Sequence, residues 1–456
     1  MVIKLRMTGK QHTTIKSHVL APDGKEAGAL LLCEPVLHEE TTILLIKEII
    51  NIPYSACASR TPVCLLWPTE DYLMPQYEHL EKECLSLIML HSHPNGFNGF
   101  SNTDNENDLK ILPRLTSCIE GKQPHGSAIM LPDGSIIARI MSESGEFTSI
   151  DMVSVVGDDI RYFGDFPNFE NNTDFIKKTE QVYGSGTTSI MRGLKAGVVG
   201  CSGTGSPTVE LLLRYHIGHL VPIDFDKIEE GNLNRMLMSR VEDADNGTLK
   251  VDRCAQWIEE TRLPTKVTPI NGLIPCEITT DTLAECDVLF GCVDNVAARH
   301  ALNKIACAYL IPYFDLGVAI KEDRSLPGSL RQAVARCHYL QPDQSCLLDR
   351  EAFSAERLRD ENFRRDDPEF YKILKELGYT GERSDIQAVM TLTMEAAVMA
   401  MDDFMARLNG YRVVSNKEFD EQERSFTHGY YEHNAHSSEN IALGIFLATG
   451  DKHKRL

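Results

Sequence analysis

The stretch that most restricts the fold is 195–226, KAGVVGCSGTGSPTVELLLRYHIGHLVPIDFD. It reads as strand, glycine loop, helix and strand. Two apolar runs follow, CDVLFGCVD at 286–294 and IPYFDLGVAI at 311–320, with a helical pattern over 295–310 between them. Such alternation needs a parallel sheet with helices on both faces, so an α/β domain is expected here.

The loop carries Gly200, Gly203 and Gly205. Glycines let the backbone approach a phosphate, and the following helix offers unpaired N–H groups at the positive end of its dipole. The next strand ends at Asp224, where a carboxylate can take ribose hydroxyls. On these features alone, a dinucleotide enzyme and a purely structural glycine turn are both fair readings. The residues downstream favour a triphosphate. Asn232, Arg235 and Lys250 fall in the segments that follow, and Asp294 ends a later strand. Cations there neutralise phosphate charge, and the aspartate can hold Mg2+.

A second constellation lies at 91–104, HSHPNGFNGFSNTD. His91 and His93 close the apolar run LSLIML, and on a strand positions i and i+2 share a face. Ser101 is placed to cap a helix whose first turn holds Asp104. Two imidazoles and a carboxylate leave a fourth position for water, the catalytic form of a zinc site. Glu26, in EAGALLLC, is the candidate general base, with Glu34, Glu39 and Glu40 close by. For His-x-His alone, ordinary loop histidines are the better reading; the added Pro94, Ser101 and Asp104 argue against chance.

Composition narrows the class. Asp+Glu number 66 against Lys+Arg 46, a formal charge of −20, which repels nucleic acid and anionic membrane. The 13 cysteines include no CxxC pair, so a tetrathiolate zinc site is not expected. MVIKLRMTGK lacks the apolar core of a signal peptide, and a cytoplasmic location is expected. Strands are expected at 28–36, 61–67, 84–93, 125–134 and 135–141, with a turn at 132–134. Helices are expected over 106–119, interrupted by Pro113, and over 385–409, where the Met stripe reads as core. The domains follow as 1–150, a packed connector at 151–190, 191–410, and a C-terminal extension at 411–456.

The 91–104 stretch resembles the H-S/T-H-P-x7-S-x-x-D signature of the JAMM (JAB/MPN) metalloproteases, and EAGALLL is similar to the glutamate strand of prokaryotic members. The resemblance covers roughly 1–150. It implies His91, His93 and Asp104 as Zn2+ ligands, Glu26 as base and Ser101 as a donor to the oxyanion. It also implies cleavage after the C-terminal glycines of ubiquitin-like proteins.

The run from about 180 to 410 resembles the ThiF/MoeB/HesA superfamily, with its Rossmann-like adenylation domain. That resemblance implies Asp224 and Asp226 of the D-x-D motif at the nucleotide, with Asp224 on the ribose. Asn232, Arg235 and Lys250 fall on the phosphates of ATP, and Asp294 on Mg2+. Ser202 and Met236 depart from the family pattern, and Arg192 is the nearest counterpart of its partner-reaching arginine. QPDQSCLLDR at 341–350 is similar to the crossover segment of bacterial members. Cys346 is thus the candidate acyl acceptor, with Cys337 behind it and a plain loop cysteine as the alternative.

Together the resemblances imply a bifunctional enzyme that trims or removes a ubiquitin-like protein and adenylates its C-terminal glycine. Bacterial fusions of this kind occur near conjugating-enzyme genes, some in anti-phage operons. A homodimer through the ThiF-like domain and a conjugating-enzyme partner are implied. Sulfur-carrier activation for cofactor or cysteine synthesis is the alternative, and an inactive scaffold ranks third.

Overall fold

The computed structural model describes every residue except 120, 122, 143, 167–173, 324, 327, 377–387, 437 and 454–456. Two compact units emerge: residues 1–165 with 308–310 and 447–453, and residues 166–307 with 311–446.

The first unit is built on a nine-stranded sheet. Its order is Ile160–Gly164, Met152–Val156, Val2–Thr8, Thr41–Asn51, Gly28–Leu37, Ser86–Ser92, His125–Met130, Ile136–Met141 and Phe147–Ser149. Both faces are covered, which suits near-continuous apolar strands such as GALLLCEPVL. Successive residues of that strand serve opposite layers: Ala29 and Leu31 pack with Ile15 and Val19, whereas Leu30 and Leu32 pack with Leu112 and Leu115. The first layer is closed by the helix Gly9–Val19, whose start is fixed by a capping box of Thr8 and Gln11.

Three expectations need correction. The start of the expected connector is sheet: Met152–Val156 pairs in parallel with Val2–Thr8, and Ile160–Gly164 folds back on it. VSVV is an apolar strand run, so this unit extends to Asp165. The run 61–67 is not one strand but part of a hairpin, Ser59–Thr61 against Cys64–Leu66, because Pro62 cannot donate to a ladder. Pro113 does not interrupt its helix, which runs from Asn102 to Cys118. The carbonyl that Pro113 leaves without a donor belongs to Leu109, a 50% exposed residue within reach of water.

The second unit carries an eight-stranded sheet: Lys266–Val267, His219–Ile223, Lys195–Val199, Val288–Gly291, Tyr313–Glu322, Leu330–Leu340, Glu421–Ser425 and Tyr430–Asn434. Its first five strands are parallel and its last three antiparallel. In chain order the parallel part runs third, second, first, fourth, fifth, the doubly wound arrangement. Part of the expected C-terminal extension therefore completes this sheet. The helix Met390–Asn409 packs on Tyr313–Glu322 and Leu330–Leu340, with Phe404 against Phe314 and against Phe290 of the adjoining parallel strand, and Met399, Met401 and Met405 buried. The first residues of the helix expected at 385–409 lie outside the described residues. Among the described residues no helix is long and apolar enough to cross a membrane.

Close strand packing gives a direct test. A Cβ added at Gly126 would lie 2.0 Å from the carbonyl oxygen of Arg139. Gly126→Ala is expected to destabilise the first unit by about 1–3 kcal/mol, as overpacking does. Calorimetry of the full chain checks this, the expected result being a lower melting transition for this unit and an unmoved one for the other.

Candidate functional sites

Strand register builds the first site. Gly28 lies opposite His91 in the antiparallel pair. The contact extends one residue past the strand end, where Ser92 N–H donates to Ala27 O (3.1 Å) and Ala27 N–H donates to Ser92 Oγ (3.2 Å). Alternation then places Glu26 on the same face as His91 and His93. The helix starting at Asn102 supplies the third group. Ser101 Oγ accepts from Asp104 N–H (3.2 Å), while Asp104 Oδ2 accepts from Ser101 N–H (2.6 Å), a capping box that fixes the carboxylate.

The donors converge. His91 Nε2 is 3.0 Å from His93 Nε2 and 3.3 Å from Asp104 Oδ1, and His93 Nε2 is 3.5 Å from Asp104 Oδ2. His93 Nδ1 lies 2.9 Å from Phe97 O, so Nδ1 carries the proton and Nε2 keeps its lone pair for a cation. Burial alone would raise the Asp104 carboxyl, but His91 and His93 in their protonated forms donate to it, outweigh burial and hold the group well below the usual range. Two imidazole nitrogens and an ionised carboxylate fit Zn2+ with one side open.

Glu26 is 6% exposed, and burial pushes its carboxyl upward against the pull of His91 and His93. Its backbone is held by the hairpin: Glu26 N–H donates to Thr61 O (2.9 Å) and Arg60 Nε donates to Glu26 O (2.8 Å). The rival glutamates face elsewhere. Glu34 is 2.7 Å from Lys452 Nζ, and Glu39 and Glu40 are exposed in the turn after its strand.

The second site lies where strand order reverses, between Lys195–Val199 and Val288–Gly291. Gly200 follows the first of these and Asp294 the second, both at carboxyl ends, where doubly wound sheets bind ligands. Gly200 has φ +89°, a conformation that favours glycine. A Cβ on Gly205 would lie 1.7 Å from Gly200 O, so the helix start sits hard against the loop. Asp224 ties the crevice together: Oδ2 accepts from Cys201 N–H (2.7 Å) and Oδ1 from Asp226 N–H (2.9 Å). Burial raises its carboxyl, opposed by Lys250 and these N–H groups. Lys250 Nζ donates to Asp226 Oδ2 (2.7 Å). Arg235 packs its stem beside Gly203, where a Cβ would be 3.3 Å from Arg235 Cδ, and its Nη1 donates to Gly231 O (2.6 Å). Asn232 Oδ1 accepts from Glu229 N–H (3.1 Å), and Asp294 is exposed.

The structure also shows residues that sequence reading missed. Arg299 donates from Nε to both oxygens of the fully buried Asp315 (2.9 and 3.1 Å), which also accepts from Tyr313 O–H (2.8 Å). An aspartate inside the buried strand IPYFDLGVAI was the available signal, because such a charge requires a partner. Met236 is 4% exposed and packs with Cys201, Ile228 and Cys254, so the departure at that position is a core residue.

Arg192 lines a crevice of about 60 Å³ with Phe175, His216 and Pro264, at the end of the sheet where its strands begin. That is opposite the glycine loop of its own chain. Cys346 is 1% exposed, and burial pushes its thiol up to about 11. Cys337 is fully buried and its thiol is raised as well, again by burial. Neither is a ready thiolate.

The sequence profile of the ThiF family matches residues 178–436. Molybdopterin-synthase adenylyltransferase of Escherichia coli (strain K12) is 31% identical over 124 residues, 27% of this chain and 49% of that protein. SAMP-activating enzyme E1 of Haloferax volcanii is 30% identical over 108 residues, 24% of this chain and 39% of that protein. Ubiquitin-like modifier-activating enzyme 5 of Bombyx mori is 31% identical over 137 residues, 27% of this chain and 33% of that protein. The chain thus spans between 33% and 49% of the length of these relatives. Among solved structures, E. coli MccB in complex with N-formylated MccA aligns with a TM-score of 0.47 and 17% identity, over 61% of this chain and 77% of that chain.

Thiol reactivity follows from these burials. Cys84, Cys118 and Cys276 are exposed, whereas Cys346 is not. With burial raising its thiol to about 11, Cys346 stays overwhelmingly protonated near neutral pH. Brief alkylation of the folded protein, read by peptide mass spectrometry, is expected to label the three exposed thiols well before Cys346. The reverse order would restore Cys346 as an acyl acceptor.

Proposed function

The chain belongs to the ThiF family, and on that premise we propose a bifunctional enzyme acting on the C-terminal tail of a ubiquitin-like protein. Its second unit is an ATP-dependent adenylyltransferase. Its first unit is a JAMM-type zinc peptidase that trims that tail or releases it from a target. The peptidase half is carried by one observation: His91 Nε2, His93 Nε2 and an Asp104 oxygen lie within 4.8 Å of one another, on the face that Glu26 shares. The adenylating half rests on family membership and on the crevice that Asp224 organises.

In the peptidase site His91, His93 and Asp104 would hold the ion. Zn2+ bound there supplies water whose pKa is lowered towards ~7. Glu26, a buried carboxyl on the ligand face, would accept a proton from the attacking water and hand it to the departing amine. The Ser101 hydroxyl, anchored at a helix start, donates to the oxygen that becomes negative at the tetrahedral centre.

In the adenylation site the backbone from Gly200 to Gly205 cradles phosphate. Asp224 takes the ribose, with Asp226 beside it holding Lys250. Asn232, Arg235 and Lys250 would bind the phosphates, the two cations neutralising their charge, and Asp294 would hold Mg2+. The glycine carboxylate of the carrier attacks the α-phosphorus of ATP. A new P–O bond forms, pyrophosphate leaves, and the product is an acyl-adenylate. A homodimer, and a conjugating enzyme downstream, complete the proposal.

A second reading, sulfur-carrier activation, gains from the burial of Cys346. With no thiolate there, the adenylate passes to sulfide or to an external thiol. Several relatives carry names of that chemistry, such as adenylyltransferase and sulfurtransferase MOCS3 of Drosophila persimilis. Thiocarboxylate at the carrier terminus, without protein conjugates, would favour it.

Selective inactivation separates the halves. His91→Ala should lose the bound Zn2+ and carrier cleavage while keeping carrier-dependent ATP–pyrophosphate exchange. Glu26→Gln should keep Zn2+ and lose cleavage by at least ~100-fold, as removal of a general base does. Asp224→Ala should lose exchange by a similar factor and still cleave. Wild-type zinc content in His91→Ala would sink the peptidase reading, and undiminished exchange in Asp224→Ala would sink the assigned nucleotide site.

A further inference from the structure

We infer that Arg139 is a positioning residue for the histidine–aspartate site, acting through the helix that carries Asp104; the inference rests on the metal-site reading above. Arg139 lies on the strand Ile136–Met141 and is 7% exposed. Its guanidinium donates from Nε to Ser127 Oγ (3.1 Å), from Nη1 to Asn105 Oδ1 (2.6 Å) and from Nη2 to Asp108 Oδ2 (2.6 Å). Ser127 donates to the same Asp108 oxygen. The two faces of the guanidinium are covered by Phe100 at 3.6 Å and Phe147 at 3.8 Å. A planar cation gripped at its edge and on both faces has one orientation, which a lysine ammonium cannot reproduce.

The residues it grips bracket the site. Phe100 precedes Ser101, Asn105 follows Asp104, and Asp108 lies one turn further along the same helix. The segment bearing Ser101 and Asp104 is therefore tied down at both ends. What it is tied to is the sheet that holds the histidines. Ser127 belongs to His125–Met130, whose Ile129 lies beside His91 in the parallel pair. Arg139 thus sets the spacing between Asp104 on the helix and His91 and His93 on the strand. Packing alone does not explain it, because burying a charge pair is no better for stability than well-packed apolar side chains.

The test uses the full-length chain and Zn2+, with affinity read by competition against a chromophoric chelator beside thermal melting. Arg139→Lys keeps the charge and loses the fork; Asn105→Ala removes one grip and spares the core. Both are expected to fold and to bind Zn2+ about 10–100-fold more weakly, the usual cost of losing an outer-sphere partner. Val155→Ala is the stability control, since it opens a cavity on a strand remote from the site in the sheet. It should melt earlier and bind Zn2+ like wild type. Wild-type affinity in both Arg139→Lys and Asn105→Ala overturns the inference. So does equal weakening in Val155→Ala, which would make the effect one of general stability. Wild-type protein that binds Zn2+ no better than His91→Ala overturns the site reading itself, and the inference with it.

Discussion

The register that sets Gly28 opposite His91 governs the first unit's site. Side chains alternate along a strand, so a slip of one residue would send Glu26 to the face away from the histidines. Two features pin that register. A Cβ on residue 28 would meet Leu90 O at 3.2 Å and Leu65 Cδ2 at 3.1 Å, so glycine fits at the point of closest approach. Beyond the strand end, Ser92 accepts from Ala27 N–H and its own hydroxyl donates to Val19 O (2.5 Å). The residue between the histidines faces away from the site and secures the pairing that aims them.

The second unit meets the same problem, holding charge at a sheet edge, by other means. Its strand order leaves a crevice at the carboxyl ends of Lys195–Val199 and Val288–Gly291. Asp224 accepts from the N–H groups of Cys201 and Asp226, so one carboxylate fixes the glycine loop and the segment leading to Lys250. In the neighbouring strand Asp315 is fully buried and takes its compensation from Arg299 and Tyr313. Asp224, Asp226 and Asp315 are each paired within the protein itself. Groups already held in place cost little to use when a ligand binds.

Much of this was legible because short-range rules govern it. Period-two alternation put His91 and His93 on one face, serine and aspartate three apart announced a capped helix start, and strand–glycine–helix spacing announced the doubly wound half. What escaped depends on contacts distant in sequence. Arg139 joins residues near 100–108, 127 and 147, and nothing local in SIIARIM marks its arginine as an organising group. The hairpin at 59–66 was hidden by a run that read as one apolar strand. The strand Met152–Val156 was hidden by aromatic and polar neighbours, although its partner is the first strand of the chain. Arg192 and Cys346 follow from motif position alone; the structure sets Arg192 where the strands begin and buries Cys346.

The case of Cys346 can be taken further, since burial alone can be relieved by a local rearrangement. Its segment is locked from both sides. Arg350 donates to Ser345 O and Oγ, Tyr339 O and Asp420 O, while Asp349 accepts from the N–H groups of Cys346, Ile441 and Ala442. Freeing Cys346 breaks most of this network. At about 0.5–1.5 kcal/mol for each hydrogen bond, that opening costs several kcal/mol. A covalent acceptor needs a segment that moves cheaply to the adenylate, and this one does not. On the proposed function, the physical weight therefore falls on an acyl acceptor outside the 341–350 segment.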